Sequence, residues 1–382
     1  MKWWKCFCRS RRIRGSACVF MLTVLAALLS ACGGGSDTPG FDSQTAQLMQ
    51  ASLDAGVSEI GVPGATMTVV RPDGARWAGV SGLSVIEQNT AMAPGLKFRI
   101  GSVSKTFTAT VVLQLVQEGA LSLDDKLESL FPGLVPNGAR ISVHQMLNHT
   151  SGLFDYAQAK NPDFLEGLFL NPLRKWKREE LIAIANANAP YFPPGTGFHY
   201  SNTNYVLLAM IIERITGRTY SQEVTARILV PLGLENTSVP DGPDMPAGST
   251  EGYAYVTDRW VNVTRFDPSW AFGTGGIVSN SGDMLIWLDA LLKGALLDPQ
   301  RKAQMFTYVS MGVPGFGYGL GIEKQGEAVG HTGDFVYGGQ AAVYEYKGWR
   351  FIVLVNASPS KEIQLFGSEY IMYKTIKALG IW

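Results

Sequence analysis

Lys97-Phe98-Arg99-Ile100-Gly101-Ser102-Val103-Ser104-Lys105-Thr106-Phe107 is the stretch on which the reading of this 382-residue chain turns. Ser102 opens a helix whose apolar ridge is Val103, Phe107, Val111 and Leu115, and Lys105, three residues on, emerges on the same face. A hydroxyl at a helix N-terminus beside a lysine is a workable nucleophile. The amine takes the proton if burial lowers its pKa, and the helix dipole favours negative charge. Alone the pattern is weak, because S-x-x-K recurs at Ser358-Pro359-Ser360-Lys361, which reads as a turn and a helix start.

Outward from this stretch, two further elements give it company. Tyr200-Ser201-Asn202 is the sole Y-x-N of the chain and His331-Thr332-Gly333 the sole H-T-G, so the order is S-x-x-K, Y-x-N, H-T-G at intervals of 98 and 131 residues. There is no G-x-S-x-G elbow and no H-E-x-x-H. Of the four histidines, His144 and His149 stand five apart, wrong for one helix face, so no metal site and no cofactor are expected. His149 and His199 read as loop fasteners. Arg174-Lys175-Trp176-Lys177-Arg178, followed by Glu179-Glu180, reads as a solvated helix entrance.

The fold class follows from the two ends. Phe41–Ile60 reads as a helix, then Ala65–Val70 and Ala75–Val80 as strands around the turn Arg71-Pro72-Asp73-Gly74. Ala342–Tyr346 and Trp349–Val355 flank Lys347-Gly348 as a second hairpin. Lys361–Leu379 closes as an amphipathic helix with Ile363, Phe366, Tyr370, Tyr373 and Ile376 as its ridge. Between them, 102–118, 142–148, 178–188 and 201–216 read as helices. The expectation is an α/β fold of the α+β type: an antiparallel sheet from both termini, flanked by helices, with a mostly helical region inserted at about 102–260. A ligand cleft is expected between sheet and helices.

Apolar residues make up 46% and charged ones 17%, with 43 Gly and 19 Pro, which excludes a disordered tail or a coiled coil. Residues 1–31 hold six basic side chains and no acidic one; the remainder carries 26 basic against 32 acidic, a net charge of −6 that argues against nucleic-acid binding. The basic start, the 11-residue apolar run Val19–Leu29 and Leu29-Ser30-Ala31-Cys32 read as an export signal ending in a lipobox-like site. The expected organisation is a lipoprotein signal at 1–31, a flexible tether at 32–45 and one catalytic domain at 46–382, monomeric, with Cys32 lipidated as its membrane anchor at the bacterial cell envelope. Cys6, Cys8 and Cys18 leave with the signal, so no disulfide is expected.

The three ordered motifs resemble those of the serine penicillin-binding proteins and β-lactamases, in the branch with class C β-lactamases and secreted D-Ala-D-Ala carboxypeptidases. Phe98–Phe107, Met146–Leu153, Gly275–Ser279 and Tyr318–Gly321 match the same branch. The resemblance implies a β-lactamase/transpeptidase-like fold and a set of roles. Ser102 is the acylated nucleophile and Lys105 its proton partner. Tyr200 is general base and acid through a phenolate lowered by the nearby ammonium. Asn202 donates to a substrate carbonyl, His331 lends a polar or cationic wall, and Thr332 binds the substrate's polar end. The backbone N–H groups of Ser102 and of Asp334, after Gly333, form the oxyanion hole. Trp270 is a cleft wall or a buried core residue. The pattern departs where relatives hold a terminal carboxylate, since Glu323 and Asp334 stand where a cation and a hydroxyl are usual, with Lys302 and Lys324 as candidates to compensate. The implied function is a D-alanyl-D-alanine carboxypeptidase-like enzyme acting on cell-wall peptides or another small acyl substrate. The alternative is an esterase or D-amino-acid amidase, ahead of a β-lactamase or a catalytically silent envelope protein.

Overall fold

The computed structural model describes residues 40–160, 163–335, 338–361 and 365–382. The expected signal segment, Cys32, most of the tether and Ile363 lie outside the described residues.

Helix α1 (Ser43–Ile60) is capped by the Asp42 carboxylate on the Thr45 N–H and closed by Gly61 in the left-handed region. Nine strands, numbered here along the main sheet, follow in two groups among the described residues. Strands β1 (Gly64–Val70), β2 (Arg76–Val85) and β3 (Thr90–Ala91) come from the first hundred residues. Strands β4 (Val309–Ser310), β5 (Phe316–Tyr318), β6 (Glu323–Gln325), β7 (Ala328–Asp334), β8 (Gln340–Tyr346) and β9 (Trp349–Val355) come from the last eighty. The order is β3-β2-β1-β9-β8-β7-β6-β5-β4, antiparallel throughout, and the two groups join where Ala65 lies opposite Val355 and Val70 opposite Arg350. Each tight turn has its chemical reason. Gly74, at φ +92°, lets the chain reverse after Arg71, and Lys347 and Gly348, both at positive φ, make the two-residue turn that matches strand twist.

One sheet face packs on α1 and on α5 (Gly367–Ala378) through Met49, Leu53, Met67, Tyr344, Phe351, Val353 and Met372. The other face, with Ala341, Val343, Ile352 and Leu354, packs on α2 (Ser104–Gln117), α3 (Asn202–Thr216) and α4 (Ser281–Lys293) through Phe107, Leu208 and Trp287. Strand β1 is buried on both faces, with Ala65, Met67 and Val69 turned toward α1 and α5 and the alternating Thr66 and Thr68 buried on the opposite face.

The sheet from both termini and the helical insertion are therefore present, with different limits. The helices continue past residue 260 to α4 and Pro299–Met305, and a hairpin of Tyr253–Val256 with Arg259–Asn262 interrupts them. The last helix begins at Gly367, not Lys361. Its buried ridge is Ile371, Met372, Thr375 and Ile376, while Phe366 is exposed and Tyr370 and Tyr373 are half-buried with hydroxyls on Glu59 and Gln325. Tyrosines with a polar tip to satisfy were drawn to the boundary, one position off the core. The second S-x-x-K is structural: the Ser360 hydroxyl donates to Gly61 C=O and Lys361 Nζ to Ser58 C=O.

Candidate active site

Ser102 sits in a single 3₁₀ turn, Gly101–Val103, that leads into α2. One helical turn later Lys105 points back at it, with Nζ 3.0 Å from Ser102 Oγ. Lys105 is fully buried, and its ammonium is held by Asn202 Oδ1 at 2.8 Å and the Thr274 C=O at 2.9 Å. Burial pushes its pKa down to about 7, against the pull of Asp155 and Glu323. The Tyr200 ring lies 4.8 Å from Lys105 Nζ, and its phenol bonds to Ser102. Ser102, Tyr200 and Asn202 keep partial exposure above the buried amine.

The phenolate expectation is corrected. Burial drives the Tyr200 phenol well above its ordinary range, and Glu323, Tyr205 and Asp155 add to the rise beyond what its bond to Ser102 takes back. Tyr200 is thus a neutral phenol, and the group that titrates near neutrality is Lys105. Asn202 is more tied than expected. Its oxygen accepts from Lys105 while Nδ2 donates to the buried carboxylate of Asp155 at 3.1 Å. Asp155 went unnoticed in the sequence, where it is one acid among many; its only signal was its place two residues beyond the shared stretch Met146–Leu153.

The third motif splits by strand alternation. His331 and Gly333 pair with Val343 and Ala341, which face the helices, whereas Thr332 and Asp334 pair with Ala342 and Gln340. The side chains of Thr332 and Asp334 therefore turn away from Ser102. Thr332 Oγ1 donates to Glu323 Oε2 at 3.1 Å, and Asp334 meets the amide of Gln340 and is pushed by burial up to about 6. This corrects the substrate-binding role expected of the Thr332 hydroxyl. The backbone is better placed. Because Phe335 N–H bonds Gly339 C=O, Asp334 and Gln340 form a non-hydrogen-bonded pair, so Asp334 N–H points off the open side of β7. That side abuts the Ser102 turn: a Cβ on Gly101, at φ +53°, would lie 2.5 Å from Asp334 N, and one on Gly333 would lie 1.9 Å from Ile100 O and 3.2 Å from Ser102 N. Only glycines let the two backbones converge there.

His331 is buried and neutral: its Nδ1–H donates to Thr332 C=O, its Nε2 accepts from the Tyr318 hydroxyl at 2.9 Å, and burial lowers its pKa. It gives a polar wall and not a cationic one. Glu323 does not project into an open subsite. Its Oε2 accepts from Thr332 N–H, Thr332 Oγ1 and, at 2.6 Å, the Tyr344 hydroxyl, and it is 6% exposed. Neither candidate cation compensates it: Lys324 Nζ lies over the Tyr308 ring and Lys302 packs against Gly294. Trp270 is a core residue, 5% exposed, packed on Phe335 and Phe164. His149 and His199 fasten loops, as described below for the first. Among the described residues no group of three or more His, Cys, Asp or Glu could hold a metal ion.

The arrangement can acylate a serine: a nucleophile, a near-neutral buried amine, a phenol and two converging N–H groups lie at one point. Comparison with known proteins agrees. A family model described as Beta-lactamase matches residues 41–371. A D-stereospecific amidohydrolase from Streptomyces sp. superposes with a TM-score of 0.77 at 34% identity, over 87% of this chain and 97% of that one. Penicillin-binding protein 4* of Bacillus subtilis is 27% identical over 262 residues, 62% of this chain and 55% of that protein. Esterase EstB of Burkholderia gladioli is 28% identical over 346 residues, 79% of this chain and 88% of that protein. The chain thus spans about half the length of the penicillin-binding relative.

Proposed function

This chain belongs to the beta-lactamase family of serine hydrolases, and from that premise we propose that it cleaves uncharged amide or ester bonds of D-amino-acyl substrates through an acyl-enzyme on Ser102. The observation that carries the chemistry is Lys105, buried, 3.0 Å from Ser102 Oγ and titrating near 7. In its neutral form the amine takes the Ser102 proton as Oγ attacks the carbonyl carbon. The N–H groups of Ser102 and Asp334 hold the oxyanion. Tyr200, a neutral phenol on Ser102, hands a proton to the leaving nitrogen or oxygen and recovers one from Lys105. Water then attacks the ester along the reverse path and frees Ser102.

The preference for uncharged ends rests on the neighbourhood of β7. Glu323 is a buried carboxylate, His331 is neutral, and Lys302 and Lys324 lie elsewhere, so none of these three offers a substrate carboxylate the charge that the sequence suggested. The 34% identity to a D-stereospecific amidohydrolase supports the stereochemistry. A carboxypeptidase acting on cell-wall D-alanyl peptides is the second reading, favoured by the H-T-G element and by the penicillin-binding relative. A D-amino-acid amide, a short-chain ester, an acyl-D-Ala-D-Ala peptide and a fluorescent penicillin, compared side by side, test the two. Higher kcat/KM on the amide and the ester, which lack a carboxylate, supports the first reading, and a preference for the free-acid peptide supports the second. We further propose that the protein is exported and held at the cell envelope by lipid on Cys32, on the strength of Leu29-Ser30-Ala31-Cys32. Cys32→Ser should then release it from membranes; a native N-terminus mapped elsewhere would sink this.

A further inference from the structure

His149 stands in an uncommon backbone state, a buried residue at φ +60° in the left-handed region, which few residues besides glycine adopt. What this conformation achieves is a double grip on one segment. The His149 C=O accepts the N–H of His199 at 3.1 Å, and its Nδ1 accepts the N–H of Ser201 at 3.2 Å. The residue between those two donors is Tyr200, whose ring lies 4.3 Å from the imidazole.

A second chain of bonds fixes the imidazole itself. Ser151 Oγ accepts from Leu153 N–H and donates to Asn204 Oδ1 at 2.6 Å, which turns the Asn204 amide so that Nδ2 donates to His149 Nδ1 at 3.1 Å. With two donors on Nδ1, the proton must sit on Nε2. That N–H has no hydrogen-bond partner among the described residues and lies among the rings of Tyr200, Tyr205 and Tyr318. The imidazole is therefore a neutral acceptor locked in one tautomer.

We propose that His149 is a positioning residue that brackets Tyr200 on both sides and so aims its phenol at Ser102. It never touches substrate; it acts through the register of residues 199–201. The inference rests on the acyl-Ser102 reading above.

Asparagine carries Oδ1 at the branch position where histidine carries Nδ1, and it tolerates the left-handed region, so His149→Asn keeps the acceptor and drops the ring. His149→Phe keeps a ring and drops the acceptor. The acylation rate of Ser102 by a serine-directed probe, followed by mass spectrometry, should fall about 100-fold in His149→Phe, the scale of a misplaced reacting group, with KM for a neutral ester nearly unchanged. In His149→Asn it should fall about 10-fold or less. Equal rates in the two variants, or Phe outperforming Asn, would overturn the bracket. Wild-type protein gives a test that needs no variant: ¹⁵N NMR should show His149 as the Nε2–H tautomer, and an Nδ1–H signal would overturn the proposal. If wild-type Ser102 is not labelled at all, the fault lies in the acyl-enzyme reading and not in His149.

Discussion

At the scale of single residues the molecule is organised around one buried amine. Lys105 must be neutral to accept a proton, so the acylation rate should fall as pH drops through about 7 and level off above it. A stopped-flow pH profile with a neutral ester reads this directly, and an acid limb far below 7 would mean that Lys105 is not the proton acceptor. Lys105→Ala should lower acylation by about 10²–10⁴-fold, the usual worth of a general base. Ser102→Ala should abolish covalent labelling and Ser358→Ala should not, as peptide mapping of the adduct will tell. The pair Ser102 and Lys105 was readable in the sequence because three residues make nearly one helical turn, a local fact. The tie from Asn202 to Asp155 spans 47 residues and has no such local mark. The state of Tyr200 was misread for a related reason: proximity of an ammonium can be inferred from motifs, but the depth of burial that outweighs it cannot.

At the scale of elements, strand alternation decides what the third motif offers. The H-T-G letters say nothing of which face each side chain takes, and it was the pairing of β7 with β8 that sent Thr332 and Asp334 away from Ser102. Glycine at the meeting of β7 and the 3₁₀ turn is obligatory on steric grounds. Gly333→Ala should force the two backbones apart and misplace the Asp334 N–H, costing about 10²–10³ in kcat, the range for a lost oxyanion donor. Substrate binding far from this point should change little, so a loss confined to KM would count against it. Hairpins at both ends were legible because their turns carry Gly at positive φ and their strands carry apolar runs. The last helix was not, since tyrosines mimic a core ridge while their hydroxyls hold them at its border.

At the scale of the whole molecule, buried ionisable groups set how stability follows pH. Burial raises Glu369 to about 7 and Asp334 to about 6. Between their ordinary values and these, the folded chain binds more protons than the unfolded one, so stability falls as pH rises from about 4 to 7. Lys105 acts in the opposite sense from about 7 to 10.5, where the unfolded chain holds the extra proton and stability recovers. The buried imidazoles of His149 and His331, both lowered by burial, oppose these carboxyls as pH rises from about 5 to 6.5, so the carboxyl contribution is read by difference: Glu369→Gln should shift the stability gap between pH 5 and pH 7.5 by about 1–2 kcal/mol in favour of pH 7.5. An unchanged gap in the variant would mean that Glu369 ionises freely in the fold.

The joining of β1 to β9 also has a consequence in time. A ribosome delivers β1 about 280 residues before its neighbour, which at typical elongation rates is roughly 15–60 s of synthesis. Throughout that interval β2 can shield one side of Ala65–Val70, while the other offers an unpaired, apolar template to any passing strand. A nascent chain arrested at Gly348 already contains Ser102, Lys105, Tyr200 and His331, yet it should be digested by protease at low dose. Release of the completed chain, in which Trp349–Val355 pairs with β1 and α5 covers that face of the sheet, should convert it to a resistant form, which makes the C-terminal strand and helix together the latch of the whole sheet.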